Sequence, residues 1–201
     1  MNLTVDGKPA PANQDPFNLQ PTAQQLTQGI AIANTGSQPV WTVQTLSGVP
    51  AQPQPPLQQG FSIIRRFYTR TGQEIDLTQV RQNDKLIAVI SGQALTKENH
   101  QALVVDLLPA GMEIENARLA HGQSLDEFRW LPELSETLHT EFRDDRFVAA
   151  LDLAESQREF TVAYLVRAVT PGEYRLPAVF VEDMYKPWYL ARSAMGLIKI
   201  H

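Results

Sequence analysis

Every second residue from Phe147 to Leu153 is apolar. Phe147, Ala149, Leu151 and Leu153 share one side of an extended chain, while Arg146, Val148, Ala150 and Asp152 share the other. Side chains alternate across a strand with a period of two, so this spacing predicts a β-strand with one face in a core. Phe160, Val162, Tyr164 and Val166 repeat the pattern within a longer run, Phe160 to Val169. Leu86-Ile87-Ala88-Val89-Ile90 is apolar throughout and too short for a helix, which suits a core strand. Further candidates are Phe61 to Thr69, Leu103 to Leu108, Met112 to Asn116, Glu173 to Tyr185 interrupted at Pro177, and Gly196 to Ile200. Stops such as Pro109-Ala110-Gly111 and Thr170-Pro171-Gly172 separate them. Seven or eight such strands predict an all-β, antiparallel sandwich over residues 60–201.

One segment departs from this rhythm. Leu125, Phe128, Leu131, Leu134 and Leu138 are spaced three, three, three and four apart. Ser124 and Glu127 make a capping-box pairing at its start, and Pro132 lacks the N–H a helix interior needs. One or two short helical turns are expected here, inserted between strands.

The first 60 residues have a different chemistry. They hold three charged side chains (Asp6, Lys8 and Asp15), whereas the other 36 of the chain's 39 lie beyond them. They also hold nine of the 14 prolines and 11 glutamines. Leu3-Thr4-Val5 stops at Asp6-Gly7, a tight-turn signal. Gly29 to Ala33 and Val40 to Leu46, on either side of Asn34-Thr35-Gly36, read as a hairpin. Pro50 to Pro56 reads as an extended, polyproline-like stretch. So few short strands cannot close a core, since isolated hairpins are marginal in water. The region reads as the end of a domain completed elsewhere, or as an extension strapped onto the sandwich.

Composition removes several chemistries. With no cysteine the chain has no disulfide, thiol nucleophile or thiolate metal site. A net charge of -5 argues against a nucleic-acid surface. No apolar run approaches a membrane span, and no charged and apolar leader opens the chain. The start therefore reads as that of a cytoplasmic protein or of a piece of an exported one. There is no phosphate-binding glycine loop and no GxSxG nucleophile elbow. His100, His121, His139 and His201 lack metal-ligand spacing and are expected in solvated loops, so no metal and no cofactor is implied. Glu113 and Glu115 share one strand face, and Glu141, Asp144 and Asp145 cluster before Arg146. Neither set has the spacing of a glycosidase pair or a calcium loop, and a solvated face beside Arg143 and Arg146 is expected. No catalytic residue is assigned. Asp183-Met184-Tyr185-Lys186-Pro187-Trp188-Tyr189-Leu190 is the most unusual segment. Loops seldom carry large aromatics without packing or binding. These residues either cover an open end of the sandwich or form a contact surface, since Tyr, Trp and Met are enriched in interface cores.

Three motifs carry a family resemblance. Leu103 to Asn116 (LVVDLLPAGMEIEN) resembles the VVDLLPAGFEIEN stretch of bacterial α2-macroglobulins. Asp144 to Ala150 resembles their RDDRFVAA strand start, and Tyr164 to Tyr185 is similar to their closing YLVRAVTPGxYxxPxxxVEDMY pattern. The resemblance implies a macroglobulin-like sandwich over 60–201. It implies that residues 1–59 are returning strands of a CUB-type β domain plus a Pro-rich linker, the domain being split by an inserted thioester domain. It further implies a piece of a large periplasmic protease trap, lipid-anchored to the inner membrane elsewhere in the parent chain. In such a trap, bait cleavage by a target protease exposes a Cys–Gln thioester that captures it. The implied partners are the thioester domain, neighbouring macroglobulin domains and, through the whole protein, target proteases. Met184, Tyr185, Trp188 and Tyr189 are the implied interface with the thioester domain. With no cysteine, this chain cannot trap a protease alone. Two other classes share the architecture: an Ig-like or adhesion-type extracellular binding module, and an enzyme built on the carboxylates above.

Overall fold

In a computed structural model of the chain, residues 2–10, 18–43, 45, 52–115 and 125–201 are described. The chain divides into two compact units, Met1–Val49 and Pro50–His201.

The first unit contains β1 (Leu3–Val5), β2 (Lys8–Pro9), α1 (Ala23–Gln28) and β3 (Ile32–Asn34). Its antiparallel sheet has the order β2-β1-β3. The Asp6-Gly7 turn forms as expected, with positive φ at both residues (50° and 76°), the twist that suits a two-residue hairpin. Asp6 Oδ1 also accepts from the Ala31 amide at 2.9 Å, which fastens β3 beside β1.

The expected hairpin between 29–33 and 40–46 does not form. β3 pairs with β1 instead, through Leu3↔Asn34, Thr4↔Ala33 and Val5↔Ile32. Trp41 and Val43 lie outside any strand and stand 96% and 94% exposed, while Gln44 and Leu46 lie outside the described residues. The cause is local. The Asn34 side chain donates to Gln38 O (2.7 Å) and accepts from Gly36 N (3.0 Å), closing a bend of its own after β3. Helix α1 was not anticipated among the prolines, yet it carries a sequence signal. Thr22 and Gln25 form a capping box, and Gly29 ends the helix at φ 82°. Among the described residues of this unit Leu3 alone is buried.

The second unit is a β-sandwich. It runs through β4 (Leu57–Gln59), β5 (Phe61–Thr69), β6 (Lys85–Ala94), β7 (His100–Leu107), β8 (Met112–Glu115) and β9 (His139–Phe142). It continues through β10 (Arg146–Leu153), β11 (Glu159–Ala168), β12 (Gly172–Leu176), β13 (Val179–Asp183), β14 (Leu190–Arg192) and β15 (Gly196–Ile200). One sheet has the order β4-β14-β13-β7-β10-β9, the other β5-β6-β11-β8, and β12 pairs with β15. β4, assigned from sequence to the Pro-rich linker, is thus an edge strand of the larger sheet. Gly60 (φ 82°) turns the chain from β4 in one sheet to β5 in the other.

The core lies between the sheets. Phe147, Ala149, Leu151 and Leu153 are all buried, as their alternation predicts. They face Phe61, Leu86, Ile90, Val162, Tyr164 and Val166 from the smaller sheet. β6 and β11 are covered on their outer face as well. There Ile87, Val89, Ala163 and Leu165 pack under Leu125, Phe128, Trp130, Leu131 and Leu134. A strand buried on both faces reads as a continuous apolar run, which explains residues 86–90. The expected helical insertion is a single 3₁₀ turn, Leu125–Glu127, after which the chain lies across the sheet. Pro132 offers no N–H and biases Leu131 away from the helical region. Leu138 is exposed, and Ser124 lies outside the described residues. Pro177 divides the Glu173–Tyr185 run into β12 and β13, which join different sheets.

Candidate functional site

Strand β13 ends at Asp183 and β14 begins at Leu190, so the aromatic segment forms the turn between two paired strands. The turn is closed by its own backbone. Asp183 N donates to Tyr189 O (3.0 Å), and Tyr189 N to Lys186 O (2.9 Å). Met184 N donates to Gln101 O of β7 at 2.9 Å. Asp183 Oδ1 accepts from the amides of Tyr185 and Lys186, each at 2.9 Å, so its side chain caps the turn.

Asp183 is itself held from below. Alternation along β13 turns Val179, Val181 and Asp183 inward, and alternation along β7 does the same for His100, Ala102, Val104 and Asp106. His100 is 1% exposed. Its Nδ1 lies 2.7 Å from Asp183 Oδ2, and its Nε2 lies 2.5 Å from Thr96 Oγ1. The ring meets Phe61 and Tyr189 edge-on, with centroids 4.9 and 5.2 Å away. Burial pushes the Asp183 carboxyl up, but the Tyr185 and Lys186 amides and the His100 ring outweigh it. They hold the carboxyl below its ordinary value.

A second fastening lies nearer solvent. Glu98 accepts from Lys186 Nζ (2.5 Å) and from the Tyr189 hydroxyl (2.9 Å). The Lys186 bond, and then the Tyr189 bond, holds Glu98 below the usual carboxylate value, and Glu98 in turn raises Lys186. Beneath the Tyr189 ring lies Gly60, where a Cβ would come within 2.4 Å of Tyr189 Cδ1.

All four residues named from the sequence sit on this turn, in two roles. Met184, Tyr185 and Trp188 face outward, 42%, 74% and 56% exposed. Tyr189 turns inward, packs against the core and anchors the turn. The sequence reading missed the anchors. It placed all four histidines in solvated settings, and His100 overturns that. His139 and His201 are exposed, while His121 lies outside the described residues. The available signal was the period-two series His100, Ala102, Val104, Asp106, which places the imidazole on an inward face.

The other candidates resolve into ion pairs. Glu113 pairs with Arg167 (3.4 Å) and Glu115 with Lys85 (3.0 Å). Glu141 pairs with Arg143 (2.5 Å) and Asp145 with Arg146 (2.9 Å), the solvated face expected there. A groove of about 970 Å³ along β5, β6 and β11 is lined, among the described residues, by one carboxylate, Glu159, where a glycosidase needs two. No group of three or more His, Asp or Glu among the described residues could hold a metal. No helix among them is long and apolar enough to cross a membrane. Thr96, His100 and Asp183 form a hydrogen-bonded chain in that order, and Asp183 is also engaged by two backbone amides, as a turn cap is.

The model of the bacterial alpha-2-macroglobulin MG10 domain matches residues 60–187. The chain is 39% identical over 173 residues to the alpha-2-macroglobulin of Escherichia coli K12, covering 82% of this chain and 10% of that protein. It is 36% identical over 176 residues to an alpha-2-macroglobulin of Xylella fastidiosa, with the same coverage of 82% and 10%. The chain therefore spans about a tenth of the length of the curated relatives it matches. The structure of Salmonella alpha-2-macroglobulin reacted with methylamine is similar with a TM-score of 0.74 at 32% identity, over 99% of this chain and 13% of that one. The native conformation of Escherichia coli alpha-2-macroglobulin gives 0.72 at 33%, over 89% and 12%. The sandwich has the macroglobulin-like architecture of these neighbours, and the chain belongs to the bacterial alpha-2-macroglobulin family.

Proposed function

We propose that this chain is the C-terminal part of a bacterial alpha-2-macroglobulin, and that its 184–189 turn covers a thioester carried by another domain of the same protein. The parent is a periplasmic, broad-spectrum endopeptidase inhibitor, lipid-anchored elsewhere, that traps proteases after bait cleavage. Residues 1–59 are returning strands of a CUB-type domain, and 60–201 the last macroglobulin-like domain. The chain itself is a structural module and not an enzyme. Three short strands with one buried apolar side chain among the described residues suit a sheet completed by other parts of the parent.

The observation that carries the reading is the pairing of exposure with rigidity. Three large apolar side chains stand in solvent on a turn whose backbone is pinned by Asp183 and Gln101 and whose Lys186 and Tyr189 side chains are held by Glu98. A pinned apolar surface excludes water from whatever docks on it, and a thioester kept dry hydrolyses slowly. Release requires that the contact differ between two states of the parent. The relatives' descriptions fit such a switch. The Salmonella protein is described as reacted with methylamine, and the Escherichia coli protein as activated by elastase and by trypsin.

The test uses the full-length parent without protease. Met184→Ala and Tyr185→Ala are expected to speed methylamine incorporation. Unchanged rates in both variants refute the covering role.

A further inference from the structure

We propose that His100 is a positioning residue for the aromatic turn: it acts through Asp183 and sets the angle at which Met184 and Tyr185 are presented. Only the second assay below rests on the covering role proposed above.

A carboxylate is planar, so one oxygen's partner aims the other. Asp183 Oδ2 lies 2.7 Å from His100 Nδ1, and Oδ1 meets the amides of Tyr185 and Lys186 at 2.9 Å. An ionised carboxylate only accepts, so Nδ1 carries the proton it donates. Nε2 then accepts from the Thr96 hydroxyl at 2.5 Å when the ring is neutral. When the ring is doubly protonated the same hydroxyl rotates and accepts, so neither state leaves a buried atom unpartnered. The Phe61 and Tyr189 rings fix the plane of the imidazole between them. The ring is thus held on four sides, and its hydrogen-bonded link to the turn is Asp183.

The anchors share one short stretch of chain. Thr96 and Glu98, between β6 and β7, and His100, the first residue of β7, sit at alternate positions. His100, backed by Thr96, reaches Asp183 from inside, while Glu98 reaches Lys186 and Tyr189 from outside. The 96–100 segment therefore clamps the 184–189 turn from both sides. Its residues are positioning groups for a surface they do not themselves form.

Two substitutions separate positioning from packing. Asn places its Nδ2 as many bonds from Cβ as the imidazole Nδ1, whereas Gln places its amide where Nε2 lies. Gln fills more of the ring's volume. A purely structural role therefore favours His100→Gln, and a positioning role favours His100→Asn. The first assay is amide hydrogen exchange by NMR on this chain, with β10 amides as the internal reference. His100→Gln is expected to lower protection at Tyr185 and Lys186 by about tenfold or more, the loss of a charge-assisted bond. His100→Asn is expected to stay within about threefold, as a retained donor requires. The proposal is overturned if Asn and Gln behave alike, if Gln protects better than Asn, or if β10 falls in parallel with the turn. The second assay is methylamine incorporation by the full-length parent without protease, expected to rise in His100→Gln and not in His100→Asn. If exchange follows the expected pattern and incorporation does not change, positioning stands and the covering role falls.

Discussion

Replacing Arg65 by Met should cost this fold more than any surface ion pair, and its cost should depend on pH. Arg65 reaches from β5 into the core, where its side chain is 4% exposed and forms a salt bridge with the fully buried Asp106 of β7. Its second nitrogen donates to Pro177 O at 2.7 Å, and the Tyr164 hydroxyl of β11 donates to the other Asp106 oxygen at 2.7 Å. Arg65→Met keeps most of the stem's volume but leaves a buried carboxylate with one neutral donor. Breaking one side of a buried pair costs about 3–5 kcal/mol, because the remaining charge is uncompensated. With a urea slope of about 2 kcal/mol/M, the midpoint should fall by about 2 M. Trp130 packs on the sandwich beside Tyr68 and reports on this unit, whereas Trp41 and Trp188 are exposed already. Fluorescence-monitored unfolding therefore reads the right transition. Removing both charges, in Arg65→Met with Asp106→Leu, should recover about half of the loss. The Tyr164 hydroxyl would then lack its partner, at a residual cost of about 1–3 kcal/mol.

The pH dependence gives the sharper test. Burial pushes the Asp106 carboxyl above its ordinary value, against the pull of Arg65 and Tyr164. Without Arg65 the push is stronger, so the folded variant keeps its proton to higher pH than the unfolded chain does. Stability then falls as pH rises through the folded value and returns below it. The gap to the unsubstituted chain should be larger at pH 7.5 than at pH 4.5. A loss below about 1 kcal/mol at neutral pH, or a gap independent of pH, refutes a paired, ionised Asp106.

Two further outcomes are expected. Asp183 and Glu98 are held below their ordinary values, so their contribution is complete above the unfolded carboxylate range, about pH 4. It is lost as pH falls through the folded values, so protection at Tyr185 and Lys186 should drop toward pH 3 before that of β10; parallel loss contradicts this. Gly60→Ala puts a Cβ at φ 82° and 2.4 Å from Tyr189 Cδ1. It should lower Tm by about 3–10 °C, for a cost of about 1–3 kcal/mol, and an unchanged Tm contradicts the close packing.

Much of the sandwich was legible. Strands such as 146–153 and 160–166 announce themselves because alternation is a local property, set by the pleat and one core face. The Asp6-Gly7 turn was equally legible, since both residues tolerate positive φ. Partnering was not. Gly29 to Ala33 overlaps a strand, β3, but its neighbour proved to be β1 rather than residues 40–46. Strand choice depends on what lies alongside, which no short window contains. The 125–138 spacing gave correct core contacts as far as Leu134, an exposed Leu138 and the wrong amount of helix. Side chains at 125, 128, 131 and 134 cover a sheet equally well from an irregular chain.

The candidate site divides along the same line. Its outward side chains, Met184, Tyr185 and Trp188, could be named from sequence because the Glu182-Asp183-Met184-Tyr185 match and large apolar residues beside a proline both lie in one short stretch. Its anchors could not, because Glu98 and His100 are more than 80 residues away along the chain from Lys186 and Asp183. Sequence alone determined the long core strands, the missing cysteine chemistry and the family, which are properties of short stretches. Tertiary structure alone decided that a histidine read as solvated is buried against an aspartate. Burial depends on which residues return from elsewhere to cover a side chain, and only the folded sheet brings β7 and β13 together.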